Sequence, residues 1–259
     1  MPDHAFASLG ASAAPPQPPP PPPPAPPLGR RLLAELIGSA GLAATVIGSG
    51  IMATRLTDEP GLQLLTNALV TAMGLAVLIA CLAPIGGAHF NPAVSLVMML
   101  RRNLSPRDAL AYAGTQMLGC LGGAMLAHLQ FGLPAVQLST TARASAPTLL
   151  AEVLATAGLV AVILLLIAAG RTLAIAPAVG AYIGAAYFAT SSTSFANPAI
   201  TIGRMITDTY AGIAPLDGLA FVAAQLVGAV TGMLVVAVLV GRRTPAIGQT
   251  PRVPLVMSD

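Results

Sequence analysis

HFNPAVSL, residues 89–96, and FANPAITI, residues 195–202, carry one tripeptide between them, Asn91-Pro92-Ala93 in the first and Asn197-Pro198-Ala199 in the second. Each follows a long apolar segment. In both, Pro stands where a helix can begin, because the first helical position needs no backbone N–H donor, and the Asn before it can cap the first turn. The pattern predicts two short helices starting at corresponding points. In a chain that is 55% hydrophobic and 8% charged, it points to a membrane channel.

Composition identifies the solvent. A soluble domain carries about 25% charged residues, so a chain at a third of that is solvated by lipid. Apolar stretches able to cross ~30 Å of hydrocarbon lie near 32–52, 62–83, 109–130, 148–168, 172–191 and 218–240. The pieces 92–100 and 198–206 are apolar but too short to span. The expected fold is therefore an all-α membrane protein of six transmembrane helices and two re-entrant half-helices.

Residues 1–29, with the run PPQPPPPPPPAPP at 15–27, read as a disordered or polyproline tail that cannot form a core. No positively charged n-region precedes it, so no cleavable signal peptide is expected. Residues 30–243 form the channel unit, its first repeat about 30–130 and its second about 148–243, and 244–259 form a C-terminal tail. The twelve basic residues are all arginine. With the N-terminus inside, nine of them (Arg30, Arg31, Arg101, Arg102, Arg107, Arg171, Arg242, Arg243 and Arg252) fall on the inner side. Arg55, Arg143 and Arg204 fall outside. This split predicts both termini cytoplasmic. The basic balance then reflects topology and does not signal nucleic-acid binding. Cys81 and Cys120 lack ligand spacing and read as small buried residues.

The halves repeat. AELIGSAGLAA at 34–44 matches AEVLATAGLVA at 151–161, and QMLGCLGGAML at 116–126 matches QLVGAVTGMLV at 225–235. The order Glu, Asn-Pro-Ala, Gln thus occurs twice. Three spanning helices per half is an odd number, so the second half enters the membrane inverted. Both half-helices then direct their N-termini at the bilayer centre, where each macrodipole places about +0.5 charge and opposes cations. Asn91 and Asn197 would offer side-chain N–H donors to a passing solute while their carbonyls cap the backbone. Residues 86–89 and 194–196 leave carbonyls that no helix satisfies, which is tolerated at membrane depth where backbone lines a wet cavity. Gly114, Gly119, Gly122 and Gly123, with Gly228 and Gly232, suit close helix packing.

Two such tripeptides in an inverted repeat, each with its Glu and Gln, make the chain resemble the aquaporin and aquaglyceroporin (major intrinsic protein) family over about residues 30–243. The resemblance implies a passive channel for water and small neutral solutes, without cofactor, with one pore per subunit of a homotetramer in the cell membrane. It places Asn91, Pro92, Ala93, Asn197, Pro198 and Ala199 at the pore centre, with carbonyls of Gly87, Ala88, His89, Phe195 and Ala196 along the pore. His89 fits the family's Ala-His-x-Asn-Pro-Ala and is read as holding its loop. Glu35 and Glu152 are costly at membrane depth unless partnered, and are read as bracing the half-helix loops, with a proton-carrying role as the alternative.

The chain departs from the family at one place. Where most members carry an arginine directly after the second Asn-Pro-Ala, this sequence has Ile200. Arg204, one turn on and on the same face, can look toward the outer vestibule or pair with Asp208. Alignment gives Met73, Tyr187 and Ser194 as the other filter positions. Ile200 in place of arginine predicts a wider constriction passing polyols and neutral metalloid acids such as arsenite, since the stretch around FANPAITIGR resembles bacterial members associated with arsenic resistance. Proton exclusion would then rest on the central helix dipoles.

The alternative is a secondary transporter, which also uses inverted repeats and broken helices. It would want an acidic residue at its substrate site, and neither half-helix has one. An adhesive role finds little outer surface, only about 128–147 being of any length. No nucleophile elbow, metal-spaced cluster or phosphate-cradling glycine loop suggests an enzyme.

Overall fold

A computed structural model describes residues 26–241. Most of the proline-rich stretch, the C-terminal tail and Arg242, Arg243 and Arg252 lie outside the described residues. The elements are α1 (Leu28–Leu56), α2 (Pro60–Gly86), α3 (Pro92–Leu100), α4 (Pro106–Gln130), α5 (Ala146–Ala168), a 3₁₀ turn (Thr172–Ala174), α6 (Ile175–Ala189), α7 (Pro198–Arg204) and α8 (Pro215–Val240). Among the described residues, six of these segments are long and apolar enough to cross a membrane. The short α3 and α7 are the half-helices. The spans run longer than hydropathy alone marks, α1 by four residues at each end, because charged ends such as Arg30 and Arg55 continue the helix beyond the hydrocarbon.

Local chemistry sets the starts. Proline opens or nearly opens α2 to α5, α7 and α8, where its missing N–H costs nothing. Ser105 caps α4 by accepting the Asp108 N–H at 3.0 Å, and Ser145 with Thr148 closes a capping box on α5.

The two halves pack alike: α1 lies along α4 and α2, α5 lies along α8 and α6, and α2 meets α6 between them. Both half-helices pack against α4 or α8 of their own half and reach into the other. Gly119 and Gly123 of α4 lie so close to the backbone of Leu36 and Ala40 that a Cβ would overlap it. Gly228 and Gly232 of α8 stand in the same relation to Val153 and Ala157. Gly114 and Gly122 have open space beside them, so the packing role expected of all six glycines holds for four.

Leu62, Leu65, Leu69, Met73 and Val77 form an exposed stripe on α2. Their spacing of three and four keeps them on one side, the side left to lipid. Cys81 is exposed, while Cys120 is buried with its thiol on the Ser39 carbonyl at 3.6 Å. The expectation of two buried cysteines is corrected for Cys81, which lies on the outer surface of a helix that buries only one side.

Candidate functional site: a pore between two braced loops

The site is built from two loops that reach the half-helices. Before α3, Gly87, Ala88 and Phe90 have φ of 86°, 51° and 48°; before α7, Thr193, Ser194 and Ala196 have 59°, 51° and 47°. A left-handed backbone costs a non-glycine residue about 1–2 kcal/mol, so something must hold these turns. Glu35 does so in the first half: its carboxylate accepts the N–H of His89 at 2.9 Å, of Phe90 at 2.7 Å and the Gln116 amide at 2.8 Å. Glu152 accepts the N–H of Phe195 and of Ala196, both at 2.9 Å, the Gln225 amide at 2.6 Å and the Ser192 hydroxyl at 2.6 Å. Both acids are fully buried. A buried carboxylate is tolerable only with its oxygens saturated in this way. His89 adds a ring contact to Ser95 Oγ at 3.0 Å, and the Tyr112 hydroxyl donates to the Gly86 carbonyl at 2.8 Å.

The two asparagines lock the loops to each other. Asn91 Oδ1 accepts the Ala93 N–H at 2.9 Å, and Asn197 Oδ1 accepts those of Ala199 at 2.9 Å and Ile200 at 3.3 Å. Their amide groups cross over: Asn91 Nδ2 donates to the Ala196 carbonyl at 2.8 Å, and Asn197 Nδ2 to the Phe90 carbonyl at 2.7 Å. Each Nδ2 keeps a second hydrogen. The Ala196 carbonyl is thereby occupied by a side-chain donor, while Ala196 itself lines the cavity. The carbonyls of Gly87, Ala88, His89, Ser194 and Phe195 accept no hydrogen bond from the described residues.

A cavity of about 390 Å³ runs beside these loops, from Thr172 and Leu173 at one end, past Asn91 and Asn197, to Tyr187 and Arg204 at the other. Gly87, Ala88, His89, Ser194, Phe195, Ala196 and Ile200 also line it. Pro92, Ala93, Pro198 and Ala199 do not; Ala93, Pro198 and Ala199 are buried behind the wall, where the half-helices touch. Met73 does not line it either, being 53% exposed. Thr71, Leu75, Ile79 and Ala83 line the cavity from α2. Met73 stands two residues, about 200° of helix, from Thr71, so the expectation that Met73 faces the pore is corrected: the α2 residue that lines the cavity here is Thr71. The Tyr187 hydroxyl reaches Thr71 Oγ1 at 3.4 Å.

Arg204 is 3% exposed and its guanidinium carbon lies 3.3 Å from the Phe195 ring centroid. Its Nε donates to the Ala211 carbonyl. The Asp208 carboxylate instead accepts from the N–H and hydroxyl of Thr140 at 2.9 and 3.1 Å, so the pairing of Arg204 with Asp208 is corrected. Sequence reasoning passed over Arg143, whose Nε donates to the Gly212 carbonyl at 2.6 Å and Nη2 to the Tyr210 carbonyl at 2.9 Å. Its guanidinium carbon lies 5.7 Å from the same Phe195 ring. Burial pulls the Arg143 pKa down, against the pull of Tyr210 and Tyr187 in the other direction. The signal for Thr71 was available, because Thr71, Leu75, Ile79 and Ala83 recur every four residues. Nothing local signalled Arg143, which reaches the site through long-range loop pairing.

Among the described residues, six spanning segments, two half-helices meeting at crossed asparagines and a cavity lined by both loops define a passive multi-pass membrane channel for small solutes. The chain belongs to the major intrinsic protein family, whose model matches residues 25–194. It is 46% identical to aquaglyceroporin AqpS of Rhizobium meliloti over 86% of this chain and 95% of that protein. It is 30% identical to aquaporin Z of Brucella melitensis, covering 82% of this chain and 98% of the relative. The X-ray structure of the aquaglyceroporin from Plasmodium falciparum superposes with a TM-score of 0.64 at 20% identity, covering 82% of this chain and 98% of that one, which speaks to the fold.

Proposed function

We propose that the chain conducts water and small uncharged solutes, namely glycerol-like polyols and neutral metalloid acids such as arsenite. The observation that carries this reading is the outer end of the cavity. Ile200 lines it where a charged side chain would narrow it, and the Arg204 guanidinium carbon sits 3.3 Å from the Phe195 ring centroid. The cavity wall is otherwise largely aliphatic, with Leu42, Val46, Leu75, Leu159, Ile163 and Ile183 among its lining residues. Such a wall lowers the cost of admitting carbon, while the free carbonyls and asparagine N–H groups replace the water that hydroxyls leave behind. The relatives named aquaglyceroporins support the polyol reading.

The selectivity filter is then Thr71, Tyr187, Ser194, Ile200 and Arg204, and the pore centre is Asn91 and Asn197 with Pro92, Ala93, Pro198 and Ala199 behind them. The unit spans 30–243, sits in the cell membrane with both termini cytoplasmic, and assembles as a homotetramer, one pore per subunit. The half-helix N-termini, each worth about +0.5 charge, exclude protons and other cations at the centre.

Stopped-flow light scattering on proteoliposomes tests the reading. Rapid glycerol entry that Ile200→Arg abolishes, with water flow retained, is the expected result. Water flow without glycerol entry in the native chain would refute the polyol assignment and return the constriction to Arg204. Arsenite equilibration no faster than in empty vesicles would remove the metalloid acids.

A further inference from the structure

The outer end of the cavity holds more positive charge than a channel for neutral solutes needs. Among the described residues, Arg204 has one hydrogen-bond partner, the Ala211 carbonyl at Nε, which leaves its terminal nitrogens without a protein acceptor. Ser194, 2% exposed and a lining residue of the cavity, has a buried hydroxyl with no partner among the described residues. Arg143 adds a second guanidinium over the same Phe195 ring. Neither arginine is paired with a carboxylate; the ion pair found among the described residues is Arg31–Asp108 at 2.8 Å, on α1 and α4.

The arrangement around the two arginines is rigid. The carbonyls of Tyr210, Ala211 and Gly212 alternate along their segment, so Arg143 takes the first and third while Arg204 takes the second. The segment is pinned in turn: Asp217 accepts the N–H of Arg143 and Ala144 at 2.5 and 2.8 Å, and Ala214 N–H donates to the Thr141 carbonyl at 2.7 Å. The nearest acid on the pore side, Glu152, is already saturated by four donors. Buried donors left open beside two fixed cations want an acceptor carrying negative charge. A fork of N–H groups and an unpartnered hydroxyl on residues lining one cavity suit the two oxygens of a planar oxyacid better than a spherical halide.

We infer that the outer mouth is a binding site for a small monoanionic oxyacid of carboxylate type, held by the Arg204 terminal nitrogens and the Ser194 hydroxyl, with Arg143 raising its local concentration. The inference builds on the assignment of this end of the cavity to the filter under Proposed function. A bound carboxylate occupies the space above Ile200 and slows the passage of neutral solutes.

The test uses the purified full chain and sodium formate at pH 7.5, compared with sodium chloride at equal ionic strength. Expected is a saturable rise of the thermal unfolding midpoint in formate over chloride. The apparent affinity should fall about tenfold in Arg204→Gln, as for the loss of one charge-assisted contact, and several-fold in Arg143→Gln and in Ser194→Ala. The last two variants keep the test decisive if Arg204→Gln does not fold. In proteoliposomes, symmetric formate should slow glycerol entry over the same concentration range. Superimposed formate and chloride curves, or a formate effect unchanged in both Arg143→Gln and Ser194→Ala, would overturn the inference and leave the channel assignment standing. Formate binding without any glycerol flux would do the reverse, sparing the site and refuting the polyol reading.

Discussion

The two pore loops share a backbone and differ in what they carry. Asn91 sits at φ −152°, ψ 115° and Asn197 at φ −154°, ψ 112°, and the left-handed residues before them match position for position. The helices behind them match as well. Thr71, Leu75, Ile79 and Ala83 of α2 face the cavity every four residues, and Ile175, Val179, Ile183 and Tyr187 of α6 do the same. Because the second half is inverted, the repeat partner of each residue at the Tyr187 end, the outer end in the proposed topology, stands at the Thr172 end, the inner one. The outer end has Thr71, Tyr187, Ser194 and Arg204; their partners at the inner end are Ile175, Ala83, Ala88 and Met98. Four polar groups at one mouth answer to four apolar ones at the other. A duplicated scaffold thus gives a cavity with one end more polar than the other, by changing side chains while the hydrogen bonds that shape the loops stay fixed.

The largest effects should come from breaking that scaffold. Removing either carboxylate strands two buried backbone N–H groups and a glutamine amide, at about 1–3 kcal/mol for each stranded group. Glu35→Leu and Glu152→Leu should therefore abolish water flux and lower the unfolding midpoint sharply. Glu152→Leu should be the worse, since it also strands Ser192. Equal losses in thermal unfolding of the two purified variants would show that the second loop does not depend on its extra donor.

Helix approach comes next. A side chain at Gly123 drives α4 off the backbone of α1, whereas one at Gly122 enters open space. Gly123→Val should cost about 1–3 kcal/mol by overpacking or prevent folding, while Gly122→Val should stay within about 0.5 kcal/mol. Gly232→Val in the second half should copy Gly123→Val, because Ala157 stands where Ala40 does. A mild Gly232→Val would mean that the halves tolerate separation differently.

The asparagines offer a finer comparison. Asn197 Oδ1 satisfies two N–H groups of its half-helix and Asn91 Oδ1 one. Loss of an N-cap costs about 0.5–2 kcal/mol, so Asn197→Ala should destabilise more than Asn91→Ala, as read from midpoints measured side by side. Each change also releases one of the crossed bonds, so both variants should lose selectivity against ions in a conductance assay.

The fold was legible because its signals are local and repeated: two Asn-Pro-Ala starts, six apolar spans, and a Glu and Gln in register in each half. The bracing role read for Glu35 and Glu152 needed only the cost of burying a carboxylate. The filter was harder. Ser194 and Ile200 follow directly from their distance to Asn197, but the α2 position depends on a loop of uncertain length and came out two residues away. Arg143 is invisible to any local pattern, since a hydrogen-bonded pairing of two outer loops delivers it.

That error of two residues supplies the smallest and most discriminating prediction. On α2, Met73 belongs to the exposed stripe with Leu69 and Val77, and Thr71 to the cavity face with Leu75 and Ile79. Met73→Ala trims a side chain facing lipid, so its stability should change by less than about 0.5 kcal/mol and its glycerol flux not at all. Thr71→Val keeps the shape and removes the hydroxyl beside Tyr187, so its stability should also hardly move. Its permeability should move: the outer end loses one of its polar groups and comes to resemble the inner end at Ile175. Glycerol entry should fall relative to water, because a polyol needs a hydrogen-bond partner at each step of its dehydration. Matched flux in Thr71→Val and Met73→Ala would mean that the polar outer ring has no part in selection, and the contrast between the two mouths would be one of structure alone.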